Sequence, residues 1–186
     1  MEKHINELEY EEIKELIINN NDLNRLFFED FLESVTYWVH DDVLRFFENV
    51  HGVDYEIGYC GSWFTVSECG YTDFIKACVN IIDSGFCLFS DRVAGLVRRA
   101  YDRLDFWEWC DIDSVSENTY FSFYKWFKGI IDAAISEILE FCRLEYDRVD
   151  DIDELAEYVS GNADGFDILI NTETWTGEEI IKKRYA

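Results

Sequence analysis

The chain has 186 residues and a formal net charge of -24, from 40 acidic and 16 basic side chains. Hydrophobic residues make up 48% and aromatics 17%, which excludes the disorder that so large a charge signals in an apolar-poor chain, and the length suits a single cooperative domain over 1–186. No stretch approaches the roughly 20 apolar residues of a membrane span, and the opening MEKHINELEYEE lacks an apolar run with a basic flank, so a soluble, cytoplasmic protein is expected.

Proline is absent, which favours long uninterrupted helices. Asn6 with Glu9 resembles a capping box, and Leu8, Ile13, Leu16 and Ile17 form a helical stripe that runs to Asn20. From Asp22 to Asn49 the apolar positions keep a near-helical period, with a break expected at His40-Asp41. Val53, Tyr55, Ile57 and Tyr59 then alternate with polar residues and Gly58, and Gly61 precedes the β-prone run Ser62 to Val66, so a hairpin is predicted.

Helical spacing returns from Tyr71 to Ser84, with Gly85 as the residue after the cap, and again from Asp91 to Leu104. Tyr120 to Arg148 reads as one long buried helix whose weak point is Gly129. A short acidic helix, Asp151 to Val159, stops at Gly161. Phe166 to Ile170 is a strand expected to join the hairpin, and the segment from Gly177 reads as a final helical turn. The expected fold class is α+β: mainly helical, with a small antiparallel sheet of about three strands covered by helices.

Six cysteines without a secretory signal favour reduced thiols. Cys60, Cys69, Cys78 and Cys87 recur every nine residues, a spacing half a turn out of phase on a helix, so no shared metal is expected. The other chemical patterns are weak. His40 beside Asp41 and Asp42 reads as a surface histidine, and pairing Cys60 with His51 as nucleophile and base has no support. The acid-rich stretch from Asp147 fails the calcium-loop pattern, because Val149, or Leu155 from a start at Asp151, falls where an oxygen ligand is needed. No phosphate loop, dinucleotide fingerprint, HExxH or CxxC occurs. Direct nucleic-acid binding is disfavoured too, since the basic cluster Lys182, Lys183, Arg184 is small. Neither an enzyme nor a cofactor-binding protein is expected.

The acids themselves carry the strongest pattern. Asp102, Asp105, Glu108, Asp111, Asp113 and Glu117 are opposed locally by Arg103 alone. Glu145, Asp147, Asp150, Asp151, Asp153, Glu154 and Glu157 form a denser group around Arg148, and Glu7, Glu9, Glu11, Glu12 and Glu15 a third. Carboxylates three or four apart on a helix stand about 5–6 Å apart, of the order of the charge spacing along a nucleic-acid strand. Phe106, Trp107 and Trp109 would add apolar contact within a groove. The plain alternative is a solvated helix surface that keeps the protein soluble.

In size, composition and charge the chain resembles the acidic anti-restriction and anti-CRISPR proteins of phages and mobile elements, several of which are DNA mimics; it shares no motif with them from which site residues carry over. The resemblance implies an inhibitor whose partner is a basic nucleic-acid-binding protein; the clustering of the acids themselves marks the first two groups as the expected contact. An antitoxin or immunity protein that covers a nuclease toxin would need the same kind of face. A structural protein without mimicry is the third expectation, and the apolar helix from Tyr120 to Phe141 leaves both monomer and homodimer open.

Overall fold

The computed structural model describes residues 2–109, 116–171 and 176–179. They are mostly helical, with strands confined to two small antiparallel sheets. The chain divides into two compact units, 1–37 with 145–186 and 38–144. By sequence the first carries 22 acids and 7 bases and the second 18 and 9, so the charge excess is densest in the first.

In the first unit, strand β1 (Glu2–His4) leads through a 3-10 turn, Ile5–Glu7, into helix α1 (Tyr10–Asn19). The capping box of α1 is Glu9 with Glu12, whose carboxylate accepts from the Glu9 amide at 3.0 Å. The expected box at Asn6 lies one turn too early, because the preceding residues are drawn into a strand. Helix α2 (Asn21–Trp38) follows with a single residue between. Asn20 makes this abrupt joint possible: its backbone closes α1, and its side-chain oxygen accepts from the amides of Asp22 and Leu23 at 3.1 and 3.0 Å.

Helix α7 (Ile152–Gly161) packs on α1, and strands β4 (Ile168–Asn171) and β5 (Thr176–Glu179) follow. Phe27 meets Phe166 edge-on at 5.1 Å, Phe31 stacks on Tyr158 at 4.5 Å, and the Tyr158 hydroxyl donates to the Asp30 carboxylate at 2.7 Å. The predicted strand near 166–170 is therefore present, but its neighbours are β1 and β5, in the order β1-β4-β5. Its pairing places Lys3 opposite Ile170 and Leu169 opposite Glu178. This replaces the expected union with the hairpin and turns 177–179 from a helical turn into a strand.

The second unit opens with a π-helical turn, Val39–Val43, at the predicted break. The wide turn keeps Val39, Val43 and Leu44 buried while His40 and Asp41 face water. Strands β2 (Val53–Gly58) and β3 (Gly61–Val66) form the predicted hairpin, a separate two-stranded sheet. Phe47, Phe64 and Phe74 form its core, with ring centroids 5.2 to 5.9 Å apart. The hairpin's feet are clamped where Gly52, at φ 73°, abuts Gly70, and the Ser67 amide donates to the Gly52 carbonyl at 2.8 Å. A Cβ on Gly70 would collide with the His51 carbonyl oxygen, and one on Gly52 would come within 2.9 Å of Gly70.

Helix α3 (Tyr71–Asp83) ends at the predicted Gly85, φ 79°. Helix α4 (Asp91–Tyr101) starts at Ser90, whose amide and hydroxyl both donate to Glu137, at 2.8 and 2.6 Å. Helix α5 (Leu104–Trp109) is short, and α6 (Glu117–Asp147) runs unbroken through Gly129. Phe127, Ile131, Ala134, Ile138 and Cys142 line the buried face of α6. Among the described residues the core contains no buried charged or polar residue, and no helix is long and apolar enough to cross a membrane.

Two stability changes follow from these contacts. Gly70→Ala should lower the unfolding free energy by about 2–3 kcal/mol, since the collision is with backbone. Tyr146 is 3% exposed and its buried hydroxyl has no hydrogen-bond partner. Tyr146→Phe should therefore raise stability, by about 1 kcal/mol, through removal of an unsatisfied group. Urea unfolding of the two variants measures both effects, and their signs should be opposite.

Candidate acidic interface

The two predicted contact groups belong to different units. Asp102, Asp105, Glu108, Asp111, Asp113 and Glu117 fall in the second, and Glu145 to Glu157 in the first. Asp111 and Asp113 lie outside the described residues, as does the side chain of Glu108. Asp105 sits in the first turn of α5 and Glu117 opens α6, positions where a negative charge complements the helix dipole. Asp102 is not part of a purely acidic face, because it lines a cleft together with Arg99 and Arg103.

The second group is more tightly organised than its sequence suggests. Arg148 donates to Glu145 at 2.9 Å and, with a second arm, to Glu154 at 2.8 Å. These bonds, Glu154 first, raise the pKa of the guanidinium further above its ordinary value. Asp151 caps α7, accepting from the amides of Asp153 and Glu154 at 2.8 and 3.2 Å. Asp153 accepts from the Tyr10 hydroxyl at 3.0 Å and forms an ion pair with Lys14, so α1 and α7 are joined by polar as well as apolar contact. The Lys14 ammonium, and after it the Tyr10 hydroxyl, hold the Asp153 carboxyl below its usual range, while the same carboxylate raises the pKa of both partners.

Four of the seven carboxylates, Glu145, Asp151, Asp153 and Glu154, thus hold the unit together. Glu157, one turn beyond Asp153, is exposed, as are Asp147 and Asp150. The third group divides in the same way. Glu7 and Glu12 serve caps, and Glu12 also binds Lys3 at 2.8 Å, which lowers its pKa. Glu11 and Glu15, four residues apart on α1, are exposed. Because α1 packs on α7, the second and third groups converge on one helix pair.

Sequence reading missed the roles of Lys14 and Tyr10, the latter reaching Asp153 across 143 residues of chain. Only the Arg148–Glu145 contact had a local signal, the three-residue spacing of a helical pair. Arg98 pairs with Asp83 at 2.6 Å. His40 is exposed, with its ring 3.4 Å from the Ile57 carbonyl. Cys60, Cys69 and Cys87 are exposed, whereas Cys78 is buried and its thiol is pushed well up by desolvation. Cys110 lies outside the described residues. Among the described residues no group of three His, Cys, Asp or Glu side chains is placed to hold a metal ion. No protein family, no curated protein and no solved structure matches the chain.

The Asp153 link has a pH signature. Its folded pKa is depressed, so its contribution is fully present above the ordinary carboxylate value, about pH 4, and is lost as the pH falls through the lower folded value. Asp153→Asn should destabilise the protein at pH 7, and the gap to the native chain should narrow at about pH 2.5. Urea midpoints for both proteins at the two pH values provide the measurement; a gap that does not change with pH would mean the carboxylate charge is irrelevant there.

Proposed function

We propose that the chain is an acidic inhibitor that imitates nucleic acid and blocks the basic binding surface of a bacterial defence enzyme of the restriction or CRISPR type. It acts by stoichiometric binding in the cytoplasm and not by catalysis. The observation that supports this reading is how the scarce cations are used on α1 and α7. Lys3, Lys14 and Arg148 are all committed to ion pairs with Glu12, Asp153, Glu145 and Glu154. Glu11, Glu15 and Glu157 are left facing water. A helix pair fixed by its own ion pairs and carrying further outward carboxylates has a preorganised negative face, and preorganisation favours binding by lowering the ordering cost. Lys and Arg of a nucleic-acid groove supply the missing countercharge, with fast, salt-sensitive association.

The geometry also guides which residues a test should change. Reversing Asp151, Asp153 or Glu154 would damage α7 itself, so the informative variant is Glu11→Lys, Glu15→Lys, Glu157→Lys combined. The tagged native protein, used as bait in bacterial lysate, should retain a nuclease or other nucleic-acid enzyme that high salt releases and added DNA displaces. The triple variant should lose at least about tenfold in affinity for that enzyme, roughly 1.4 kcal/mol or more. A partner indifferent to salt, DNA and the triple reversal would discard the mimic and leave the acids as a solvated surface.

A further inference from the structure

The end of α4, the turn into α5 and the N-terminal half of α6 enclose a cleft of about 600 Å³, lined by Arg99, Asp102, Arg103, Phe123 and Trp126. That volume lies within the roughly 300–1,000 Å³ of small-molecule sites. Its chemistry runs against the rest of the chain. In a protein with 40 acids and 16 bases, this cleft places two arginines side by side in one lining, while Arg25, Arg98, Arg143 and Arg148 are each paired with a carboxylate. The Arg99 Nε donates to the Gly95 carbonyl at 3.2 Å, and among the described residues neither Arg99 nor Arg103 is in an ion pair. Both are exposed. In the same lining Trp126 is 38% exposed, and its ring lies 5.4 Å from that of Phe123, which Phe106 supports edge-on at 4.7 Å.

We infer that this cleft binds a small ligand that joins a flat ring to an anionic group, the chemical class of a nucleoside monophosphate. The guanidinium groups of Arg99 and Arg103 present planar donor forks suited to a phosphate. The exposed Trp126 ring offers a stacking face for a base. Asp102, an acceptor in the same lining, suits a sugar hydroxyl or an exocyclic amine. The net charge of -24 does not forbid this. At physiological salt, charges more than about 8 Å away are largely screened, while the two guanidinium groups act at contact distance. The inference is independent of the acidic interface and involves a different unit.

Titration calorimetry with adenosine monophosphate tests it, with adenosine alone and inorganic phosphate alone as separate titrants. Binding of the nucleotide is expected, with each fragment at least about tenfold weaker. Arg99→Gln with Arg103→Gln, and separately Trp126→Leu, should each weaken the nucleotide at least about tenfold. Arg92→Gln, which removes the same charge away from the cleft lining, should leave it unchanged. All of these side chains are exposed, so the variants keep the native fold, which circular dichroism verifies. Absence of binding at millimolar nucleotide, phosphate binding as tight as the nucleotide, or equal loss in the Arg92 variant would overturn the assignment.

Discussion

Forty carboxylates on one short chain repel one another, and everything else in the structure accommodates that field. The accommodation begins with segregation: among the described residues the interior holds no charged side chain, with Phe27, Phe47, Phe74 and Phe127 fully buried. Burial of such side chains contributes roughly 1.5–3 kcal/mol each, whereas an exposed ion pair contributes about 0–1 kcal/mol. The hydrophobic term therefore decides the fold. The few cations adjust it locally, and their placement matters more than their number.

Lys14 and Arg148 illustrate that placement. Each sits where two backbone segments must approach despite like charge: Lys14 between α1 and α7, and Arg148 between the end of α6 and the first turn of α7. Neutralising the carboxylates at these junctions lets the helices pack, and it leaves Glu11, Glu15 and Glu157 facing water. Arg99 and Arg103 differ from these two in lining one cleft together instead of bridging carboxylates across a junction.

Periodicity made the helices legible, because residues such as Ile13, Leu16 and Ile17, or Phe127, Ile131, Ala134 and Ile138, repeat at the spacing that one buried face requires; alternation did the same for the hairpin. The third strand at 168–171 was legible as a strand, but its partners were not. Strand β1 is the three polar residues Glu2, Lys3 and His4, which show no alternation, and it pairs with β4 across more than 160 positions. No local pattern encodes such a pairing. The candidate site was legible to a similar degree. The acids could be counted from the sequence, yet the division between carboxylates that hold the fold and those left outward depends on tertiary contacts such as Tyr10 with Asp153.

The clamp between Gly52 and Gly70 has a consequence for ancestry. The chain closes a ring there by backbone touching backbone, with no covalent bond and no room for a side chain at either point. Surface acids can drift to other acids and core residues can exchange volume with their neighbours. These two positions admit a single amino acid. Any protein that descends from this one and keeps the hairpin will retain two glycines separated by about that length of chain, followed directly by a helix, so kinship would remain readable there after the rest of the sequence had diverged.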